Sequence, residues 1–154
     1  MTKKQRRSDC PISFGLETFG DLWSLLIIRD IVYFGKKTYG EFLDSEEAIA
    51  TNILASRLLH LEQKGILTKT PSATDKRKEV YSLTEKGLDL IPTLLEIASW
   101  SAQHDPQTSA PPEWIATVNA DKPNIIRLIR ETVRQGGAIF VGQDSVISQL
   151  TGEK

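Results

Sequence analysis

Cysteine is nearly absent. Cys10 is the one cysteine in 154 residues, so no disulfide forms within a chain, and the composition suits a reducing compartment such as the cytoplasm. Long apolar runs are missing as well. No stretch approaches the ~20 apolar residues of a membrane span, and the basic start, Met1 to Arg7, is not followed by the apolar core and cleavage site of a secretory signal. The chain also lacks a large charge of one sign. Its net charge of −1 excludes a uniformly basic surface but not a local one, and location matters more than the sum. There is no Gly-rich phosphate loop, His-Glu-x-x-His motif, Gly-x-Ser-x-Gly elbow or Cys-x-x-Cys pair, which argues against an enzyme. His60 and His104 share no ligand spacing, so neither a metal nor another cofactor is expected.

What is present is the composition of a soluble globular chain, 40% hydrophobic and 25% charged, long enough to bury a core without staples. Four zones divide it. Residues 1–9 are a polar tail carrying Lys3, Lys4, Arg6 and Arg7. Residues 10–104 are dense in helix and strand patterns. Residues 105–113 are a Pro-rich linker, and residues 114–154 are a C-terminal extension.

Within the dense zone, Pro11 suits the first turn of a short helix that Gly20 ends. Asp21 is placed to cap a second helix, apolar nearly all round and therefore central, that stops at Gly35. Thr38 and Glu41 form a capping-box pattern for a third. Residues 49–64 carry a fourth, with Leu54, Leu58 and Leu61 on one stripe and Asn52, Ser56, Leu59 and Gln63 on the opposite side. Two alternating runs, 66–70 and 79–83, predict strands joined by the polar tip 72–78. Thr84 then opens a long helix to about His104, interrupted by Pro92, which requires a kink or a break.

The order is helix, helix, short helix, polar-faced helix, two strands with a basic tip, long helix. It predicts a mainly α fold with a two- to three-stranded β wing: a winged helix-turn-helix with a C-terminal extension. A helix with one apolar and one polar face can dock on its neighbours while entering a major groove. Lys76, Arg77 and Lys78 at the strand tip suit a phosphate run or a narrow minor groove. Lys37 and Thr38, at a helix start, suit a phosphate contact.

Cys10-Pro11, the run from Gly20 to Asp30, Tyr39-Gly40-Glu41-Phe42, Ile53-Leu54 with Leu58, Leu61-Glu62 and Gly65, and Tyr81 to Gly87 form a distinctive set. Together these segments resemble HxlR-type transcriptional regulators of the MarR-like winged-helix group. The resemblance spans roughly residues 10–104. It implies a homodimer that binds double-stranded DNA, with residues 49–64 in the major groove and the wing in the flanking minor groove. It also implies that Thr51 and Asn52 lie where base edges are reachable, that Thr51 and Ser56 serve bases or phosphates, that Arg57 meets a phosphate, and that Asp75 orients Arg77. Ala50 stands where many relatives carry a capping Ser, so this helix start is expected to be weaker.

Cys10 sits at a helix start with basic residues nearby, an environment in which reactive thiols occur. In some relatives a cysteine at this position senses oxidants, so Cys10 is a candidate redox sensor; the plain alternative is a structural thiol. An unidentified small-molecule effector is a further candidate partner. Residues 125, 129 and 133 form an apolar stripe in the extension, which must be buried on a partner subunit or on the rest of the chain. The competing reading of the whole is a winged-helix module for protein–protein contacts that does not bind DNA.

Overall fold

The apolar run between Gly20 and Gly35 becomes the central helix. In this computed structural model, which describes residues 6–153, α1 (Pro11–Phe19) precedes α2 (Ser24–Phe34), and Ile27, Ile28, Ile31 and Val32 of α2 are all buried. Helix α2 starts two residues later than the Asp21 cap predicts. Asp21 heads a turn instead: its Oδ2 accepts from the Trp23 and Ser24 amides, both at 2.9 Å, and its Oδ1 accepts from the Ser24 hydroxyl. The capping chemistry is therefore as expected, but it acts on a turn leading into the helix. Gly35, at φ 66°, ends α2 in the left-handed conformation that glycine adopts without strain.

Helices α3 (Tyr39–Leu43) and α4 (Thr51–Gln63) follow, then the antiparallel strands β1 (Leu67–Pro71) and β2 (Glu79–Leu83), in register from Leu67 opposite Leu83 to Pro71 opposite Glu79. The sheet has two strands. A single further rung, from the Tyr81 amide to the Lys37 carbonyl at 2.8 Å, ties it to the segment before α3. Pro92 sits at the break that its presence requires, between α5 (Glu85–Leu88) and α6 (Ile91–His104), in the first turn of α6. Its missing amide has no intrahelical partner to lose there.

The extension forms α7 (Pro112–Ala120), α8 (Lys122–Arg134) and α9 (Val146–Thr151). Helix α7 begins inside the Pro-rich stretch, with a proline again in the first turn. Trp114, Val118, Ile125, Ile129, Val133, Ile139 and Val146 join the same core as Ile28, Leu54, Leu61 and Ile91. Of the two partners open to the apolar stripe of α8, this chain's own helical core is the one it meets. The short apolar run at 138–141 forms no strand. The Ile139 and Phe140 amides donate to the Val32 and Tyr33 carbonyls, at 2.9 and 3.1 Å, and so satisfy acceptors at the end of α2. On the surface, Arg130 pairs with Asp89 (2.6 Å) and Glu85 (3.3 Å), and Arg134 pairs with Glu85 (2.8 Å). The hydrogen bond from Arg134 holds the Glu85 carboxyl below its usual range.

Among the described residues, no single helix is long and apolar enough to cross a membrane. Helices α1 and α2 pass such a test only as a pair bent by 75°, and much of α2 is core.

Candidate nucleic-acid interface

Helices α3 and α4 form the helix-turn-helix. Thr38 and Glu41 make the expected capping box: the Thr38 hydroxyl accepts from the Glu41 amide at 3.3 Å, and the Glu41 carboxylate accepts from the Thr38 amide at 3.0 Å and the Lys37 amide at 2.6 Å. Burial pushes the Glu41 carboxyl up, but these bonds outweigh it and hold it below its usual range. The start of α3 is thus already occupied by the Glu41 carboxylate. Lys37 turns toward the extension: a methyl group built on Gly136 would lie 3.2 Å from its Nζ.

The turn from α3 to α4 includes Ala48 at φ 54°, a conformation that disfavours any side chain. Helix α4 then starts at Thr51 with no side-chain cap from Ala50, as expected. Leu54, Leu58 and Leu61 are buried, whereas Thr51, Asn52, Ser56, Leu59 and Gln63 are exposed. Leu59, 54% exposed, has no partner that explains it in the isolated chain.

Three ties fix α4. The Tyr39 hydroxyl donates to the Thr51 carbonyl, and His60 Nε2 donates to the Thr18 carbonyl, both at 2.8 Å. Arg57 lies 3.6 Å from Asp21, so this side chain is drawn toward the turn before α2. Burial raises the Asp21 carboxyl, but the Ser24 hydroxyl, the Trp23 and Ser24 amides and the Arg57 charge together bring it below its usual range. The sequence carries no signal for the Tyr39 bond or for the Asp21–Arg57 pair, which only the packing of α4 on the turn before α2 brings together.

The wing tip is a tight turn: the Lys78 amide donates to the Asp75 carbonyl at 2.9 Å, and the Ser72 amide to the Lys78 carbonyl at 2.8 Å. Asp75 accepts from the Arg77 amide (3.1 Å), Nε (3.1 Å) and Nη2 (3.3 Å). The hydrogen bond from Arg77 holds the Asp75 carboxyl below its usual range. The Arg77 side chain is 90% exposed, so its guanidinium is oriented yet available. Lys76 and Lys78 are exposed beside it.

Cys10 is an exposed free thiol at the N-cap of α1. Arg6 and Arg7 are exposed too, and Arg6 lies 3.9 Å from Asp9; Lys3 and Lys4 fall outside the described residues. Among the described residues, no three His, Cys, Asp or Glu side chains gather as metal ligands.

The model of the HxlR-like helix-turn-helix family matches residues 18–109. An uncharacterized HTH-type transcriptional regulator of Mycobacterium bovis is 33% identical over 97 residues, 63% of this chain and 60% of that protein. The chain thus matches somewhat less than two thirds of the length of that relative. The crystal structure of PA1607, a candidate transcription factor, superposes with a TM-score of 0.62 at 34% identity, covering 71% of this chain and 76% of that one. The redox regulator HypR in its oxidized form superposes with a TM-score of 0.55 at 28% identity, covering 62% and 97%.

Proposed function

The chain belongs to the HxlR-like helix-turn-helix family, whose model covers more than half of it, and we propose that it is a sequence-specific transcriptional regulator that binds double-stranded DNA as a homodimer. One observation carries this reading. Helix α4 exposes Thr51, Asn52 and Ser56 on the side opposite its buried leucine stripe, while the wing offers an exposed Arg77 already aligned by Asp75. Asn suits an adenine edge, and Ser and Thr suit bases or phosphates. Arg77, Lys76 and Lys78 supply the wing contact, and the Thr38 hydroxyl supplies a phosphate contact. Arg57 and Lys37 contribute from further back: Arg57 reaches a phosphate only by leaving Asp21, and Lys37 only by turning from Gly136.

Exposed apolar side chains support the dimer: Ile12 and Leu16 on one face of α1, Phe14 on its other side, and Ile97 and Trp100 on α6. Side chains of that size in groups favour a partner surface. Two-fold symmetry then requires a pseudo-palindromic operator with half-sites about 10 bp apart, or a multiple of that. The exposure of Cys10 supports a redox-responsive variant of this function, in which two Cys10 thiols, or Cys10 and a small thiol, join as a disulfide when an oxidant accepts two electrons and two protons.

The test is a selection of genomic fragments with the purified protein, followed by titration of the best site at several salt concentrations. A palindromic site with a steep salt slope is the expected result. An association that is insensitive to salt, with no enriched site, replaces this reading with the protein-contact module.

A further inference from the structure

Helix α4 carries apolar side chains on two sides. Leu54, Leu58 and Leu61 form the buried stripe, whereas Leu59 is 54% exposed and Ala55, one turn before it, is exposed as well. Asn52, Ala55, Ser56 and Leu59 are spaced i, i+3, i+4, i+7, so they share one face of the helix. This is the spacing of a face that meets a partner, and every member of it is open to solvent.

Leu59 has no inward alternative. Leu58 and Leu61 on either side of it fill the core, and His60 is anchored to the Thr18 carbonyl at 2.8 Å. The Tyr39 bond to the Thr51 carbonyl and the Arg57–Asp21 pair hold the helix at two further points. Turning α4 far enough to cover Leu59 would break these ties and bring the leucine stripe into water. The side chain is therefore fixed outward, beside the polar groups suited to DNA.

The major groove offers one apolar feature, the 5-methyl group of thymine, and the other three bases present only donors and acceptors there. Against those edges, or against a phosphate, a leucine would strip water from polar groups and return no hydrogen bond. Against the thymine methyl it buries apolar surface on both sides. We propose that Leu59, with Ala55 beside it, packs on the 5-methyl group of a thymine and so sets one position of the operator sequence. This assignment deepens the DNA-binding reading of α4 and rests on it. At 1.5 Å per residue, Leu59 lies about 10 Å along the helix axis from Asn52, or about three base steps. The thymine is therefore a different position from the base that Asn52 meets.

The test uses the full-length protein and the operator recovered by the genomic-fragment selection. Each thymine in turn, with its symmetry mate, is replaced by deoxyuridine, which removes the methyl group and keeps every hydrogen-bonding edge. Affinity is read by fluorescence anisotropy at one salt concentration. At one thymine in each half-site, deoxyuridine is expected to weaken binding by about threefold to tenfold, the order of one buried methyl group. Leu59→Ala is expected to bind the unmodified operator about as weakly, to be indifferent to deoxyuridine at that position, and to remain dimeric in sedimentation velocity. Leu59→Met, still apolar and of similar volume, is expected to keep the sensitivity. An operator bound with a steep salt slope but insensitive to every deoxyuridine overturns the proposal and leaves the DNA-binding reading standing. So does a Leu59→Ala variant that responds to deoxyuridine as the wild type does, or one that has become monomeric, which makes Leu59 a subunit contact. Recovery of no operator at all removes both readings.

Discussion

Asp75 holds the Arg77 guanidinium through both Nε and Nη2 at the end of the wing, in a pair made two residues apart. So short a loop leaves little freedom, and part of the ordering entropy of the arginine is spent before any contact is made. Arg77→Ala is expected to weaken operator binding by roughly tenfold to a hundredfold, within the ~1–3 kcal/mol of a strong DNA contact. Lys76→Ala is expected to weaken it less and to lower the salt slope by about one. Asp75→Asn is expected to fall between wild type and Arg77→Ala. Fluorescence anisotropy at several salt concentrations checks all three, and unaltered affinity in Arg77→Ala removes the wing from the interface.

Trp100 is 65% exposed on α6, and Leu16 is exposed on α1. A carboxylate in place of either would be desolvated in a dimer interface yet harmless on a free surface. Trp100→Glu and Leu16→Glu are expected to shift the protein from dimer to monomer in sedimentation velocity while keeping its helical circular dichroism. A dimer that persists in both variants locates the interface elsewhere.

Ile129 is fully buried in the core shared by α8 and α2. Ile129→Ala is expected to cost about 2–5 kcal/mol and to move the whole unfolding transition, because the extension and the helix-turn-helix share one core. Denaturant titration followed by circular dichroism checks this. A biphasic curve in which only one phase moves would show that residues 114–154 unfold on their own.

Burial pushes the Tyr33 phenol up to about 12, against ~10 in an unfolded chain. The folded state therefore keeps this proton after the unfolded state has lost it, and stability falls as pH rises from about 10 to 12. The loss attributable to Tyr33 is up to roughly 2–3 kcal/mol. Tyr33→Phe is expected to flatten this alkaline decline, measured by urea unfolding at a series of pH values. It is also expected to remove the last tyrosinate to appear in an ultraviolet titration.

Local chemistry made much of the fold readable in advance. The stripe of Leu54, Leu58 and Leu61, the Thr38–Glu41 box and the Gly35 stop are short-range patterns, and each acts in the structure as its spacing implies. Boundaries were less legible. Asp21 caps from a turn outside α2, because a capping donor fixes a neighbourhood and not a single residue, whereas Pro92 marks the break between α5 and α6 that its ring requires. Contacts between distant segments were not legible at all. The stripe of Ile125, Ile129 and Val133 announces a buried face without naming its partner, and nothing in the order of residues sets Arg57 beside Asp21. For the candidate site, the residue types on α4 and the wing were visible. That Lys37 turns toward Gly136 follows only from three-dimensional packing.

The amides of Ile139 and Phe140 close on the carbonyls of Val32 and Tyr33. This gives the protein an order of assembly. The helix at its centre is made early in synthesis, but the groups that finish that helix's end emerge only much later. Closure of so long a loop is slow compared with helix formation. A nascent chain halted before residue 138 would therefore carry a central helix with an unfinished end and an uncovered apolar flank, a form suited to chaperone capture. Completion of the shared core therefore waits on synthesis of the extension, which supplies Trp114, Ile125, Ile129 and Ile139 to it.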